Sequence, residues 1–178
     1  MRIISGIKKG ILIKAPAGLP VRPTTDRSKE SLFNILVNHF NFEELKVLDL
    51  FSGTGNIAYE FASRGAQSVL CVDSDFGCVK FIKQTAVKLD FENIEARKQD
   101  VFSFLKNCTE SFDIIFADAP YALNKIADIS IMITEKKILK NKGWLIVEHA
   151  GNIDLSHQHG FFEQRKHGQS AFSFFKEL

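Results

Sequence analysis

At 178 residues, with 45% hydrophobic and 25% charged side chains, the chain has the size and balance of one water-soluble domain. It holds no apolar run near the roughly 18 residues of a membrane span, and Met1 to Gly6 lack the apolar core of a secretory leader. Three cysteines with no CxxC pair argue against a disulfide or zinc scaffold, so a reduced, cytoplasmic protein without a structural metal is expected. The net charge of +2 conceals an asymmetry: residues 1–29 carry seven cations against Asp26 alone, and the rest of the chain is net acidic. A segment of that kind can contact a polyanion that the remainder would repel.

The elements follow in chain order. Arg2-Ile3-Ile4 and Ile11-Leu12-Ile13, with Gly6 to Gly10 between them, predict a β-hairpin. Pro16, Pro20 and Pro23 mark an extended connector, so residues 1–24 read as a basic hairpin and linker within a single domain spanning 1–178. Thr24, Thr25 and Asp26 offer capping oxygens for a helix over about 27–39. From Lys46 the pattern becomes strand then helix, repeated. Strands are predicted at about 46–51, 67–72, 93–97, 112–118 and 143–149, with helices at about 55–64, 75–90, 101–108 and 122–140. Such alternation builds a mostly parallel α/β sheet covered on both faces. Phe161 to Arg165 and Ala171 to Phe175 flank a glycine turn, so the sheet is expected to finish with an antiparallel strand.

Two stretches carry the chemistry. Val47-Leu48-Asp49-Leu50-Phe51-Ser52-Gly53-Thr54-Gly55 reads as a buried strand, an acid, and a glycine-rich turn into a helix. In open parallel sheets ligands sit beyond the carboxyl ends of the strands. Gly53 and Gly55 let backbone approach a ligand closely. The spacing to Ala58 nearly meets a dinucleotide fingerprint. However, a carboxylate at Asp49 would repel a pyrophosphate and attract the ammonium of S-adenosylmethionine. Asp73, after the second strand, is placed to bond two ribose hydroxyls. Asp100 is placed to accept from an adenine amine, with Val101 and Phe102 covering the ring. The competing reading for any one of these acids, Asp100 above all, is a helix cap, but all of them fall at strand carboxyl ends. Phe51, Gly53, Gly55, Asp49, Asp73, Asp100 and Val101 are the candidate cofactor contacts.

The second stretch, Phe112 to Tyr121, ends in Asp118-Ala119-Pro120-Tyr121. An exocyclic amine on a purine is a poor nucleophile, because its lone pair is delocalised into the ring. Two acceptors binding its two N–H groups can turn the lone pair toward a sulfonium methyl. Asp118 offers a carboxylate, and Ala119 a carbonyl held extended by Pro120. Tyr121 offers a face on which a flipped base can stack. Positioning supplies most of the rate in such a reaction, and no separate base is required before transfer. His157 and His159 lack a third ligand and read as solvated. Glu148, His149 and Cys108 have no evident partner.

With these residues assembled, the chain resembles the RsmD family of small-subunit ribosomal RNA guanine-N2 methyltransferases. Arg2-Ile3-Ile4-Ser5-Gly6 with Lys9-Gly10 resembles the family's opening hairpin. Arg22-Pro23-Thr24-Thr25-Asp26-Arg27, then Glu30 and Leu32 to Leu36, resembles its signature block. Leu48 to Gly55 and Ser63-Arg64-Gly65-Ala66 resemble its cofactor region. The resemblance implies a class I, Rossmann-like methyltransferase fold, S-adenosylmethionine as donor, and 16S ribosomal RNA as substrate, as an assembled or assembling 30S particle. A monomer that binds RNA through Lys8, Lys9, Lys14, Arg22 and Arg27 is expected. One departure is Ala119, where the family usually has proline; the carbonyl is retained. Alternative readings are an amino-methyltransferase acting on adenine N6 or a protein glutamine, a non-catalytic RNA-binding assembly protein on the same fold, or a dinucleotide-dependent oxidoreductase.

Overall fold

The computed structural model describes residues 1–19, 25–119 and 126–176. Among them, five strands run parallel: β1 (Lys46–Leu50), β2 (Ser68–Asp73), β3 (Ile94–Lys98), β4 (Phe112–Asp118) and β5 (Leu139–Ala150). Helices α1 (Asp26–Leu36), α2 (Asn56–Ser63), α3 (Phe76–Lys88), α4 (Val101–Asn107) and α5 (Ile126–Glu135) alternate with them. A terminal hairpin, β6 (Phe161–His167) and β7 (Ser170–Phe175), completes a seven-stranded sheet of order β3-β2-β1-β4-β5-β7-β6.

The expected α/β class holds, with one refinement at the sheet edge. The last strand does not lie outermost. β7 inserts antiparallel between β5 and β6, and β6 forms the edge. Composition explains the order: Ala171, Phe172, Phe174 and Phe175 are at most 1% exposed, whereas β6 carries the exposed Arg165 and Lys166. The apolar strand takes the interior position and the charged one blunts the edge.

Strand alternation divides the core into two layers. Val47, Ile114, Phe116, Trp144, Ile146, Phe172 and Phe174 pack on one face with α1, α2 and α3. Leu48, Leu50, Ile115, Ala117, Leu145, Val147 and Phe175 pack on the other with α4 and α5. The same alternation carries Asp49, Asp118 and Glu148 onto the first face, each two residues beyond an apolar neighbour on its strand.

Three predicted elements shift. Helix α5 ends at Glu135 rather than near 140. Lys137 adopts φ +53°, and the Ile138 N–H reaches back to the Ile133 carbonyl, a left-handed helix stop. Strand β5 can therefore begin at Leu139, earlier than predicted. The N-terminal hairpin is reduced to one bridge, Arg2 with Leu12, although its backbone bonds persist between Ile3 and Ile11.

That hairpin is fastened to the body. Ile3 and Ile13 enter the core. The Glu60 carboxylate accepts from the Ile4 and Ser5 N–H groups at 2.7 and 3.0 Å. Ile7 N–H donates to the Ser63 carbonyl at 2.7 Å. Gly6 lies at φ +81°, and a Cβ there would come 1.8 Å from the Ser63 carbonyl oxygen. Only glycine permits this approach.

Candidate active site

Strand order reverses between β1 and β4, because the chain leaves β1 toward β2 and returns on the other side at β4. A cleft of about 1170 Å³ opens at the carboxyl ends of these strands, where the topology expects a ligand. Asp49, Phe51, Gly53 and Asp73 line it from the β1 and β2 ends. Asp118, Ala119 and Glu148 line it from β4 and β5.

The glycine turn is built by its neighbours. The Ser52 hydroxyl donates to the Asp49 carbonyl at 2.5 Å, and the Gly55 N–H to the Ser52 carbonyl at 2.8 Å. Asp73 clamps the loop: its Oδ2 accepts from the Gly53 N–H at 2.8 Å and its Oδ1 from the Asp75 N–H at 2.8 Å. A carboxylate has about four acceptor sites, so capacity remains for a ligand's hydroxyls. Phe51 takes φ +56°, an uncommon conformation for a bulky residue, at the point where the strand turns into the cleft.

Asp49 is 2% exposed, and its Oδ2 has no hydrogen-bond partner among the described residues. A buried, unpartnered acceptor is costly and calls for a donor. Burial first, then the charges of Asp118 and Asp73, push its pKa well above the ordinary carboxylate range. A cationic ligand would reverse that balance, and the ammonium of S-adenosylmethionine has the chemistry to do so.

Asp118 pairs in register with Glu148 across β4 and β5. Its pKa is raised to about 8, first by burial and then by the Glu148 carboxyl. Two neighbouring carboxyls, largely withdrawn from water, disfavour both being ionised at once. Sequence reasoning missed Glu148. Its alternation with Trp144 and Ile146 was visible, but its meeting with Asp118 depends on β5 lying beside β4. His149, also without a partner in the sequence, is buried and bonded through Nε2 to Ser173 Oγ at 2.8 Å. It belongs to the sheet interior.

Other candidate positions separate from the cleft. Gly55 does not line it. Its backbone, at φ +77°, instead packs so closely that a Cβ would lie 3.0 Å from Tyr59 and from Ile82. Asp100 caps α4, accepting from the Ser103 N–H at 2.9 Å, and neither it nor the 2%-exposed Val101 lines the cleft. Pro120, Tyr121 and Arg22 lie outside the described residues. Ala119 is 1% exposed at the end of β4.

The basic N-terminal segment also changes on folding. Lys29 is 1% exposed and donates to the Arg2 carbonyl at 2.7 Å and to Asn56 Oδ1 at 2.8 Å, with Glu60 3.5 Å away. Arg2 pairs with Asp26 and Lys8 with Asp90, each at 3.5 Å. Lys9 and Lys14 remain exposed, and neither they nor Lys8 line the cleft. Arg27 does line it.

The family model described as "Conserved hypothetical protein 95" matches residues 1–176. The chain belongs to this family. It is 35% identical over 159 residues to YlbH of Bacillus subtilis, covering 87% of this chain and 85% of that protein. It is 31% identical over 152 residues to the ribosomal RNA small subunit methyltransferase D of Haemophilus influenzae, covering 83% of this chain and 78% of the relative. The solved structure of the Thermus thermophilus protein TTHA0928 superposes with a TM-score of 0.86 at 24% identity, over 99% of each chain. These matches agree with the Rossmann-like methyltransferase fold that the sequence led us to expect. Among the described residues, no helix is long and apolar enough to cross a membrane.

Proposed function

We propose that this chain methylates the exocyclic N2 of a guanine in 16S ribosomal RNA, with S-adenosylmethionine as donor. It is a ribosomal RNA methyltransferase by family, and its relatives carry that activity in their names. The observation that carries the reading is the presence of two distinct acid sites in one cleft. Asp49 Oδ2 lacks a donor at the β1 end among the described residues, and Asp118 pairs in register with Glu148 at the β4 end.

S-adenosylmethionine, when bound, supplies an electrophilic methyl on a sulfonium. Asp49 is the residue to receive its ammonium. Asp73 holds the glycine turn and retains lone pairs for the ribose. On the acceptor side, Asp118 accepts one N–H of the target amine, and the Ala119 carbonyl accepts the other. Both groups sit at the end of the central strand β4, which pairs with β1 on one side and β5 on the other, so they are oriented before substrate arrives. Once the nitrogen carries the new methyl, its surplus proton can pass to the Asp118–Glu148 pair. Glu148 thus acts as a positioning residue that tunes the protonation of Asp118.

The test is nucleoside mass mapping of 16S ribosomal RNA from cells with and without the gene. Loss of one N2-methylguanosine is the expected result. Loss of a methyladenosine, or an unchanged RNA, would overturn the guanine assignment.

A further inference from the structure

The cleft described above has two electrostatic halves. Its acidic lining is Asp49, Asp73, Asp75, Asp118 and Glu148. Arg27 at the start of α1 and the β6–β7 segment from Lys166 to Ser170 also line the cleft and carry its positive charge. Arg27 and Lys166 are exposed, and among the described residues neither lies within 4 Å of a carboxylate in an ion pair. Asp154 lies close enough to Lys166 to feel its charge. The neighbouring Arg165 is held by Glu163 instead. His167, next to Lys166 in the chain, lines the same cleft, and its Nε2 is buried without a hydrogen-bond partner among the described residues.

We propose that Arg27, Lys166 and the β6–β7 turn form a phosphate-binding rim, which grips the RNA backbone beside the nucleotide entering the cleft. The inference rests on the ribosomal RNA reading and adds to it where the phosphates lie. A nucleotide whose base reaches Asp118 must keep its phosphodiester away from the five acidic side chains that line the cleft. The rim is the face of the cleft where free positive charge is available. The Arg27 charge also reaches His167, because after burial it is the next cause lowering that imidazole's pKa. A neutral imidazole can offer an N–H to a phosphate oxygen without adding a third charge to the rim.

The turn is also a firm support. β7 is buried inside the sheet, with Phe172 and Phe174 fully enclosed, and His167 and Ser170 form the last pair of the hairpin. Gly168 adopts φ +62°, and a Cβ there would meet nothing within 4 Å, so the tip stands open to an approaching backbone. A rim mounted on the sheet costs less ordering on binding than a free arm would.

The experiment is a salt titration of binding to a 16S ribosomal RNA transcript and to purified small subunits. Wild type is compared with the double variant Arg27→Gln/Lys166→Gln and with Lys9→Gln/Lys14→Gln. For the rim variant we expect weaker binding and a log affinity versus log salt slope flatter by about 0.7–0.9 for each phosphate no longer neutralised. Circular dichroism and calorimetry with S-adenosylmethionine check that the fold and the acid side of the cleft persist. A rim variant that binds with wild-type slope and affinity overturns the rim, and the ribosomal RNA function stands if wild type still binds and methylates the transcript. The rim is overturned equally if the lysine variant alone accounts for the salt dependence. A wild-type protein with no affinity for either RNA overturns both proposals.

Discussion

Asp118 and Glu148 occupy the same register position on adjacent parallel strands, and both carboxyls enter the cleft. Burial and this neighbour raise the Asp118 pKa from 3.8 to about 8. If the carboxylate form of Asp118 receives the amine, turnover should rise with pH through that value. In Glu148→Gln the second cause is removed while burial remains, so the rise should move to lower pH. The measurement is kcat against pH for both proteins. Superimposed profiles would detach Glu148 from the reaction.

Stability should respond to pH in a defined direction at Asp49. Its folded pKa lies above the unfolded value of 3.8, so its contribution is fully present in acid and is lost as pH rises through the folded pKa. Asp49→Asn should therefore melt higher than wild type without cofactor at neutral and alkaline pH, with the gain vanishing below about pH 4. The same variant should bind S-adenosylmethionine more weakly. Thermal melts across pH with parallel calorimetry test both halves, and retained affinity would remove Asp49 from the cofactor site.

Asp118→Ala separates binding from chemistry. Methyl transfer should disappear while S-adenosylmethionine affinity changes little, because Asp118 lies on the acceptor side. Ala119→Pro should keep activity within a few-fold, since the carbonyl remains. Near-normal turnover in Asp118→Ala, measured with saturating RNA, would end the two-acceptor account.

Asp73→Ala removes both clamps on the glycine turn, the bonds from Gly53 and Asp75. Cofactor affinity should fall by the worth of charged hydrogen bonds, about 1.5–3 kcal/mol. Calorimetry on the folded variant provides the number. An unchanged affinity would mean that Asp73 neither shapes nor touches the cofactor site.

Gly6→Ala should destabilise the protein more than Gly10→Ala. Both residues have positive φ, but a Cβ at Gly6 would lie 1.8 Å from the Ser63 carbonyl oxygen, whereas one at Gly10 meets nothing within 4 Å. The backbone cost common to both is about 1–2 kcal/mol. Any excess measures the collision that a side chain would cause where the hairpin sits against α2. Equal denaturation midpoints would show that the hairpin is not seated as described.

How much of this was legible beforehand depends on the range of the interactions. The apolar runs ending at Leu50 and Asp118 declared β1 and β4, and the glycine turn between Phe51 and Gly55 declared its own place at a strand end. Glu148 was readable as a strand residue, but its partner is fixed only when β5 joins β4. Lys29 counted as one more surface cation until α1 packed on α2 and brought it to Glu60 and Asn56. Asp100 was read first as an adenine contact, with a helix cap as the competing role, and its bond from the Ser103 N–H supports the cap. The stop at Lys137 depends on a left-handed lysine, which no residue preference announces.

The insertion of β7 beside β5 sets a timetable for synthesis. Residues 145–150 of β5 pair with 170–175, so this edge of a central strand stays open until nearly all the described chain has been translated. The acids of the cleft can be placed by β1 and β4 well before then, but Glu148 has a neighbour on only one side. A nascent chain stalled inside β6 would display an apolar edge ready to pair with another copy. The last six residues of the sheet therefore act as its closure, and shielding by a chaperone would matter most in the interval before they emerge.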